Sequence, residues 1–569
     1  MNYDKLILLA YWMVLAPSVA CIYANTAKGQ IPELEWVDQP TSVNDVSLQD
    51  IHAITSTEIV IYGTMFDSVT FDSAQVEVTL ESSYTRSPFI YQLDNTGQFE
   101  WAKFVDVYLP SSFESTIDNQ GFRYMAGLVN LAKEWDIDPS ENELLISLYS
   151  DALILKFSQT GDFIWARIIG DGTFFHQEPF GLEVDGFGNV YTCGFFSGTA
   201  DFDPGPDTLF LDPANGSSFI HKMDSEGNFL WAKQVATAYP ESRAQDLALD
   251  DEANIYVTGR FRDTVDFDPG PDTSMLSSAG DWDAFILKLN TDGTYQWANR
   301  FGGPDLDWGL HIEARSDGTI IAAGTFNGMA FLSPSSDTVE LQSVSGGDIY
   351  LLKIDADGDV LQFGSIGGSQ SDYITEMSLD PFGNLYFSSA HTGTADLDPG
   401  PGVTLRTGKQ LTKLDPDLNL IWTVPMTLAS GIAVDSAQNV HVCGSFTGSV
   451  DLNPSPTEDS IFVSNGNSAV FVLKLNQDSL LTSSVRQTET ISGLEVSVYP
   501  NPSTKKFNVD VPEMTGSINY SVSDLTGRLI ESGVSQSSRF QIELVAKPGV
   551  YLLTLYSDDD WAVVRLVRE

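Results

Sequence analysis

Cysteine and basic residues are both scarce in this chain of 569 residues. The three cysteines, Cys21, Cys193 and Cys443, are too few for a disulfide-stapled scaffold or for a zinc site built on cysteine pairs. Lys and Arg number 29 against 78 Asp and Glu, which gives a net charge of −49. Because this charge repels a phosphate backbone and an anionic membrane surface, we expect no nucleic-acid partner.

Long apolar runs are missing as well. No segment approaches about 18 consecutive apolar residues, so we expect no transmembrane segment. At the N-terminus, Lys5 precedes an apolar run from Leu6 to Leu15, and the small residues Ser18-Val19-Ala20 follow. This order predicts a secretory signal peptide over residues 1–20, with cleavage as late as residue 24 as an alternative. Cleavage after Ala20 leaves Cys21 first, so lipid attachment to Cys21 stays open beside simple cleavage.

The chain does contain an internal repeat, which three independent anchors define. The first anchor is a tryptophan that closes similar phrases, as in Phe229-Leu230-Trp231-Ala232-Lys233. The tryptophans are Trp36, Trp101, Trp165, Trp231, Trp297 and Trp422. The second anchor ends a strand-like run at Gly63, Gly127, Gly194, Gly259, Gly324, Ser389 and Gly444. The third is Gln92, Lys156, Lys222, Lys288, Lys353, Lys413 and Lys474. Their shared period predicts seven repeats.

Each repeat consists of short β-branched and aromatic runs separated by turn residues, with no helical period. The fourth repeat predicts strands over 246–250, 254–261, 284–290 and 294–300. Four antiparallel strands repeated seven times predict an all-β fold, a seven-bladed β-propeller over residues 31–482. Because each repeat ends on its Trp strand, we expect residues 33–37 to supply the outer strand of the last blade and so fasten the ring.

One repeat carries a family resemblance. The phrases Asn189-Val190-Tyr191-Thr192-Cys193-Gly194 and Gly198-Thr199-Ala200-Asp201-Phe202-Asp203-Pro204-Gly205 resemble the secreted bacterial beta-propeller repeat family of seven-bladed proteins. The resemblance extends over about residues 33–482. It implies a fold but no shared reaction.

After a polar linker over residues 483–493, the pattern of residues along the sequence changes. Alternating runs split by Asn-Pro and Pro-Gly turns predict a small, Ig-like β-sandwich over residues 494–569. Its motifs resemble the type A C-terminal sorting domain of the bacterial type IX secretion system. The residues that carry this resemblance are Tyr499, Pro500, Asn501, Pro502, Asp524, Gly527, Arg528, Pro548, Gly549 and Tyr551. The resemblance implies a Bacteroidetes-like source, export through the periplasm, recognition by the outer-membrane translocon, and a secreted or cell-surface protein.

An acidic loop recurs between the second and third predicted strands. Its paired carboxylates are Asp136 and Asp138, Asp201 and Asp203, Asp266 and Asp268, and Asp396 and Asp398, each pair followed by proline. Two carboxylates at this spacing can supply oxygen ligands to calcium. The alternative is that they cap a turn by accepting backbone N–H groups. Calcium is the one cofactor that this pattern indicates.

The other repeated residues favour structural roles. The lysine series could form a cationic ring for an anion, but its place in one strand of most blades favours a partner in a neighbouring strand. The recurrence of one tryptophan in most blades, on the outer strand, favours a role in packing between blades over stacking on a sugar. Cys193 and Cys443 occupy equivalent positions of different blades, so we expect free, buried thiols. The histidines show no metal-binding spacing, and no nucleophile elbow, phosphate loop or dinucleotide fingerprint is present.

These observations favour a monomeric, noncatalytic binding protein whose ligand is a polysaccharide or a surface protein. We expect the ligand to bind at the acidic rim, the face of the propeller that carries the acidic loops. The alternatives are a glycan hydrolase or lyase with its site at the propeller channel, and a structural surface component. A tight cluster of carboxylates with His or Tyr at a channel mouth favours the enzyme.

Overall fold

The computed structural model describes most of the chain from residue 31 onward. The described residues are 31–42, 45–55, 57–72, 77–82, 86–109, 113–136, 145–170, 176–213, 216–235, 241–333, 340–455, 460–464, 468–477, 487–491, 494–499, 506–511, 517–524, 528–535, 537–545, 549–557 and 560–568. The predicted signal peptide and Cys21 lie outside these ranges. The chain divides into two compact units, with the boundary between Leu475 and Asn476.

All elements in the described ranges are β-strands, which confirms the all-β prediction. The first unit contains β1 (Glu33–Asp38), β2 (Val46–Ala53), β3 (Glu58–Met65), β4 (Ser68–Asp72), β5 (Glu77–Glu81), β6 (Ser87–Asp94), β7 (Phe99–Phe104), β8 (Phe113–Ile117), β9 (Arg123–Asp136), β10 (Leu145–Phe157), β11 (Phe163–Ile169), β12 (Gln177–Val184), β13 (Val190–Phe196), β14 (Ala200–Asp201), β15 (Phe210–Leu211), β16 (Ser217–Met223), β17 (Phe229–Val235), β18 (Ser242–Leu249), β19 (Ile255–Phe261), β20 (Thr264–Asp266), β21 (Met275–Ser277), β22 (Asp283–Leu289), β23 (Tyr295–Gly302), β24 (Trp308–Ala314), β25 (Ile320–Ser333), β26 (Glu340–Ile354), β27 (Val360–Gly368), β28 (Asp372–Leu379), β29 (Leu385–Asp396), β30 (Leu405–Leu414), β31 (Leu420–Pro425), β32 (Ala429–Val434), β33 (Val440–Phe446), β34 (Ser449–Asp451), β35 (Ile461–Val463) and β36 (Ala469–Asn476).

The long strands pair antiparallel in groups of four, and we number these groups as sheets 1 to 7. Sheet 1 is β2-β3-β6-β7, sheet 2 is β8-β9-β10-β11, sheet 3 is β12-β13-β16-β17, and sheet 4 is β18-β19-β22-β23. Sheet 5 is β24-β25-β26-β27, sheet 6 is β28-β29-β30-β31, and sheet 7 is β32-β33-β36-β1. Short pairings of β23 with β25 and of β27 with β29 join sheets 4, 5 and 6 into one continuous 12-stranded sheet. The N-terminal strand β1 therefore forms the edge of sheet 7. The first strands of the seven sheets contact one another in order, and β32 contacts β2, so the series closes on itself.

An aspartate at the end of the first strand stabilises the turn into the second strand. Asp185 Oδ1 accepts the backbone N–H groups of Phe187 and Asn189, each at 2.9 Å. Its Oδ2 accepts from the Asn189 amide at 2.7 Å and from the Tyr191 hydroxyl at 3.0 Å. Asp250 and Asp380 repeat the arrangement. A local sequence signature therefore sets the same hairpin in successive sheets.

The repeated lysines and tryptophans join neighbouring sheets. Lys288 Nζ donates to the carbonyl oxygen of Ala356 in the next sheet at 2.8 Å, and Trp297 Nε1 donates to the same oxygen at 3.0 Å. Lys222 donates in the same way to Thr291 O at 3.0 Å. These contacts confirm the structural interpretation of both series. They also tie each repeat to the one that follows it.

Apolar clusters fill the spaces between adjacent sheets. One cluster combines Ile61 and Phe89 of sheet 1 with Cys443 and Val472 of sheet 7. Cys193 lies in another cluster, between sheets 3 and 4. Both cysteines are buried and free, as predicted, and burial raises the pKa of each thiol well above its usual range.

The second unit is also built of antiparallel strands. They are β37 (Gln487–Ile491), β38 (Leu494–Tyr499), β39 (Lys506–Asp510), β40 (Ile518–Asp524), β41 (Leu529–Ser535), β42 (Arg539–Glu543), β43 (Gly549–Ser557) and β44 (Asp560–Arg568). They form two sheets, β37-β38-β39-β42 and β41-β40-β43-β44. Phe507, Val522, Ile542 and Leu553 lie in the apolar cluster of this unit.

One boundary differs from the sequence prediction. Residues 487–491, which the sequence assigns to a linker, form β37 and pair antiparallel with β38. The polar run Gln487-Thr488-Glu489-Thr490 reads as linker by composition. It forms a strand because the edge of the neighbouring sheet supplies backbone hydrogen-bond partners that composition does not reveal.

Candidate functional site

A cavity of about 810 Å³ lies between the first strands of the seven sheets. Every one of these strands contributes to its lining. Seven lining residues are acidic and none is Lys or Arg, although His52, His311 and several hydroxyl side chains are present. The acidic residues are Asp50, Glu114, Asp118, Glu183, Asp246, Glu313 and Glu376. We call this space the central cavity.

Four of these carboxyl groups lie at one level of the repeat. Asp50 pairs in register with Tyr62, Glu114 with Ala126, Asp246 with Thr258, and Glu376 with Ser388. Each partner directly precedes the glycine or serine anchor of its second strand. Since register and alternation are the same in each sheet, the four side chains reach the cavity at equivalent places.

Two further carboxyl groups form a second level, two residues along the strand. Glu183 pairs with Tyr191, and Glu313 pairs with Ile321. His52 and Thr116 hold the equivalent places in sheets 1 and 2. Asp118 is different, because its carboxylate accepts the N–H groups of Gln120 and Phe122 and the Tyr124 hydroxyl in a turn.

Burial, together with repulsion from neighbouring carboxyl groups, raises the pKa of five of the cavity carboxyl groups. Burial raises the pKa of Asp246 to about 8 and that of Glu183 to about 7. The pKa values of Glu114 and Glu376 lie well above the usual range, because burial acts first and the neighbouring carboxylates Asp246 and Asp50 add to it. The pKa of Glu313 is also well above the usual range, because of burial first and then the nearby Glu183 and Asp246. A group that carries a positive charge would lower all of these pKa values.

Sheets 1 and 2 meet at a small polar cluster in the cavity wall. His52 Nε2 lies 2.9 Å from Asp50 Oδ2 and 3.0 Å from Ser115 Oγ, and Ser115 Oγ donates to Asp50 Oδ2 at 2.6 Å. One ring nitrogen therefore serves both partners. Burial opposes the charged imidazolium, but the Asp50 carboxylate outweighs it and raises the pKa of His52. His311 has only burial acting on it, which lowers its pKa to about 4.

Some cavity groups also connect the sheets. Asp246 Oδ2 accepts the backbone N–H of Ile312, on the first strand of sheet 5, at 2.9 Å, and its Oδ1 accepts the N–H of Leu247 at 2.7 Å. Asp246 thus has a structural role beside its position in the cavity.

The predicted metal residues lie elsewhere, in the loops between second and third strands. Asp201 Oδ1 accepts the N–H groups of Asp203 at 3.1 Å and Leu209 at 2.9 Å, and Asp203 Oδ1 accepts that of Gly205 at 2.7 Å. The pairs Asp266 with Asp268 and Asp396 with Asp398 repeat this pattern. Asp136 is the last residue of β9, and Asp138 lies outside the described residues.

The loop geometry is that of turn capping, the alternative stated above. Within the described ranges, no group of three or more His, Cys, Asp or Glu side chains is placed to hold a metal ion. Calcium binding by these loops stays a prediction.

The predicted sorting residues lie in the second unit. Tyr499 ends β38, Asp524 ends β40, and Arg528 directly precedes β41. Gly549 and the buried Tyr551 lie in β43. Pro500, Asn501, Pro502, Gly527 and Pro548 lie outside the described residues.

Sequence reasoning missed the cavity carboxylates, although a signal for them exists. Asp50, Glu114, Asp246 and Glu376 each stand 13 positions before the second-strand anchor of their repeat, and Glu183 and Glu313 stand 11 positions before it. The sequence pattern predicted binding at the Asp-x-Asp-Pro loops instead. Among the described residues, the seven acidic residues that line the central cavity lie inside the ring of first strands.

The comparison with protein families concerns the second unit. Residues 497–569 match the family described as "Secretion system C-terminal sorting domain". This match indicates export by the type IX secretion system to the cell surface or the extracellular space. In the part of the chain that the structure describes, no helix is long and apolar enough to span a membrane.

Similarity to curated proteins is partial. An uncharacterized WD repeat-containing protein of Acanthamoeba polyphaga mimivirus is 24% identical over 248 residues, which are 38% of this chain and 18% of that protein. The regulatory protein FlaEY of Caulobacter vibrioides is 27% identical over 188 residues, which are 32% of this chain and 19% of FlaEY. The chain spans about a fifth of the length of these relatives.

Two solved structures are also similar over most of the chain. PorZ, a surface component of the type IX secretion system of Porphyromonas gingivalis, is 11% identical with a TM-score of 0.16, covering 92% of this chain and 81% of PorZ. A fungal alcohol oxidase is 9% identical with a TM-score of 0.35, covering 95% of this chain and 100% of the oxidase. At these TM-scores, neither likeness carries an argument about this chain.

Proposed function

We propose that the protein is an exported, monomeric binding protein without catalytic activity, a seven-bladed β-propeller whose central cavity takes a positively charged group of its ligand. The observation that carries this proposal is the lining of the cavity, in which seven acidic residues face no Lys or Arg. The type IX sorting domain delivers this cavity to the cell surface or beyond it.

The strand connections support the propeller. Seven sheets of four strands follow one another along the chain, their first strands contact in a closed series, and β1 completes sheet 7. Radial packing of this kind protects the edges of small sheets. The name of the mimivirus relative, a WD repeat-containing protein, agrees with the proposal.

The electrostatics support a cationic ligand. Burial first, and neighbouring carboxyl groups second, make five of the cavity carboxyl groups harder to ionise, and a positive charge in the cavity favours their ionised form. The described carboxylates form no group that could hold a metal ion directly. An organic cation, such as the amine of an amino sugar or a Lys or Arg side chain of a surface protein, therefore fits the cavity better than a single ion.

The geometry of the polar cluster favours binding over hydrolysis. A Ser-His-Asp relay needs the carboxylate on one ring nitrogen and the hydroxyl on the other. Here His52 Nε2 contacts both Asp50 and Ser115, so the ring does not connect them. Carboxyl groups together with His52 and His311 in one cavity are also what the enzyme alternative predicts, so a glycan hydrolase is the second candidate function. The carboxyl groups come from six inner strands, however, whereas glycosidic cleavage uses one facing pair.

Calorimetric titration of the mature protein with spermine tests the proposal. We expect binding that is tighter at about pH 8.5 than at about pH 6, because the cation must displace protons from Asp246, Glu183 and their neighbours. The double variant Glu114→Gln with Glu376→Gln keeps the shape of the cavity and is expected to bind roughly tenfold more weakly.

The control is Glu252→Gln, which removes a carboxylate from an exposed turn. The proposal is wrong if spermine does not bind at either pH, or if the cavity variant binds as tightly as the control.

A further inference from the structure

A second cavity, of about 770 Å³, lies between sheets 6 and 7 and differs from the central cavity in charge. Its lining contains two basic residues, Arg406 and Lys409, and one acidic residue, Asp451. We call it the sheet 6/7 groove. The lining of this groove therefore carries more basic than acidic side chains, although the net charge of the chain is −49.

Sheet 6 differs from sheets 2, 4 and 5 at one buried position beside the groove. In sheets 2, 4 and 5, a buried aspartate stands five positions before the repeated lysine. These residues are Asp151, Asp283 and Asp348. Each packs against a glycine of the fourth-strand segment, where a side chain would collide with it; the glycines are Gly170, Gly302 and Gly367.

Sheet 6 lacks this buried carboxyl group. The equivalent of the aspartate is Gly408, around which the space for a side chain is open, and Thr427 replaces the glycine. The volume that an aspartate fills in sheets 2, 4 and 5 is therefore open around Gly408, which lines the groove. No carboxyl group at this position opposes an anion bound beside Arg406 and Lys409.

Both basic side chains are available to a ligand. Arg406 Nη1 donates to the Leu405 carbonyl oxygen at 2.9 Å, which leaves other guanidinium N–H groups, and Lys409 is exposed. Within the described residues, neither side chain forms an ion pair. The one carboxylate of the groove, Asp451, already accepts the N–H groups of Asn453 and Ser460.

The remaining lining combines hydroxyl groups with apolar surface. The hydroxyl groups belong to Thr394, Thr407, Thr427, Thr447 and Ser449, and the apolar side chains to Leu405, Met426, Phe446 and Val450. Hydroxyl groups pair with the hydroxyls of a sugar, apolar side chains pack against the C–H face of its ring, and a guanidinium or ammonium group receives an acidic substituent.

We propose that the sheet 6/7 groove binds an acidic sugar unit of a polysaccharide, with Arg406 and Lys409 receiving its carboxylate or sulfate group. This site is separate from the central cavity and takes a ligand of opposite charge. The two proposals therefore stand or fall independently.

Calorimetric titration of the full mature chain with an oligogalacturonate tests the proposal, at about 0.15 M salt so that the negative charge of distant residues is screened. The matched probe is the same oligomer with its carboxyl groups methyl-esterified, which removes the charge and keeps the sugar. Chondroitin sulfate compared with its desulfated form, which keeps the carboxylate, distinguishes sulfate from carboxylate. We expect roughly 10- to 100-fold tighter binding of the acid than of the ester, the range for a hydrogen bond to a charged group.

The variant Arg406→Gln with Lys409→Gln is expected to lose this difference. Its control is Lys103→Gln with Arg262→Gln, which changes the net charge equally at exposed ion pairs away from the groove. Both variants change surface side chains, and matching thermal melts establish that both are folded.

Three results with the glycan probes overturn the proposal, and a fourth comes from a peptide probe. They are equal binding of acid and ester, equal binding by the groove variant and its control, and failure of the wild-type chain to bind both the oligogalacturonate and chondroitin sulfate. Binding of a polyglutamate peptide in preference to both glycans also overturns it, since the occupant is then an acidic protein segment.

Discussion

The Lys474 ammonium group lies 3.0 Å from the Glu35 carboxylate, although the two residues stand near opposite ends of the first unit. Lys474 also donates to the carbonyl oxygen of Asn95, and Trp36 Nε1 donates to the same oxygen at 3.0 Å. The first strand of the chain, the last strand of sheet 7 and a turn of sheet 1 therefore meet at one place. This contact is where the proposed ring of blades is fastened.

Deletion of residues 31–38 tests this fastening. We expect the melting temperature of the first unit to fall by several degrees, because β36 loses its partner strand and the Trp36, Leu34 and Val37 side chains leave their apolar clusters. A variant that lacks residues 25–30 instead is the control. A melt of the 31–38 deletion that matches this control contradicts the role of β1 as a structural strand.

Gly97 tests how tightly neighbouring repeats pack. Its φ is +79°, and a Cβ there would lie 2.8 Å from Cδ2 of the Trp36 ring. Gly97→Ala therefore adds overpacking of about 1–3 kcal/mol to left-handed backbone strain of about 1–2 kcal/mol. Denaturant unfolding measures the sum as a loss of unfolding free energy.

Gly318→Ala provides the matched control for this substitution. Gly318 has nearly the same φ, +82°, but no atom lies within 4 Å of the added Cβ. Gly318→Ala should therefore lower the unfolding free energy by the backbone strain alone. If both substitutions cost the same free energy, the Trp36 ring does not constrain this turn.

Asp246 makes stability depend on pH. Its pKa is 3.8 in an ordinary environment and about 8 in the folded protein, where burial disfavours the carboxylate. Between these values the folded state holds a proton that the unfolded chain has released, so the free energy of unfolding falls as pH rises from about 4 to about 8. Asp246→Asn keeps one of the two acceptor oxygens, removes the titrating group and should make this fall shallower.

Denaturant titrations at about pH 5 and pH 8 measure the effect. Asp272→Asn, at an exposed loop position, is the control and should leave the pH dependence of the wild type unchanged. An Asp246→Asn variant whose stability still falls as steeply as that of the control contradicts the assignment to Asp246.

Asp266 distinguishes turn capping from calcium binding. Its Oδ1 accepts the N–H groups of Asp268 at 3.1 Å and Ser274 at 2.7 Å. An asparagine oxygen can accept the same hydrogen bonds, so Asp266→Asn should leave the melting temperature nearly unchanged. Asp266→Ala loses both hydrogen bonds and should cost about 1–2 kcal/mol.

Thermal melts in calcium and in chelator separate the two roles further. If the loops only cap turns, the wild type melts at the same temperature in both. A melting temperature that rises in calcium for the wild type, and does not rise for Asp266→Asn, supports the calcium hypothesis.

Interactions that span only a few residues were readable from the sequence. The fourth repeat illustrates this, since the predicted strands over 254–261 and 284–290 correspond to β19 and β22. The hairpin at Asp185, Asn189 and Tyr191 spans seven positions, so its residues recur visibly in the repeats of Asp250 and Asp380. The polar strand β37 escaped prediction because its hydrogen-bond partners belong to a neighbouring strand.

The sequence by itself determined the repeat, the strands, the residues that join consecutive repeats and the sorting domain, because each depends on local chemistry repeated at a constant spacing. Only the tertiary structure decided which carboxyl groups share the central cavity, how Asp50 meets Ser115 across 65 positions, and where Gly408 opens a groove. These features depend on the register between separate sheets and on the space between them. No single repeat contains that information, since every repeat carries acidic residues and only the packing of all seven selects those that face one another.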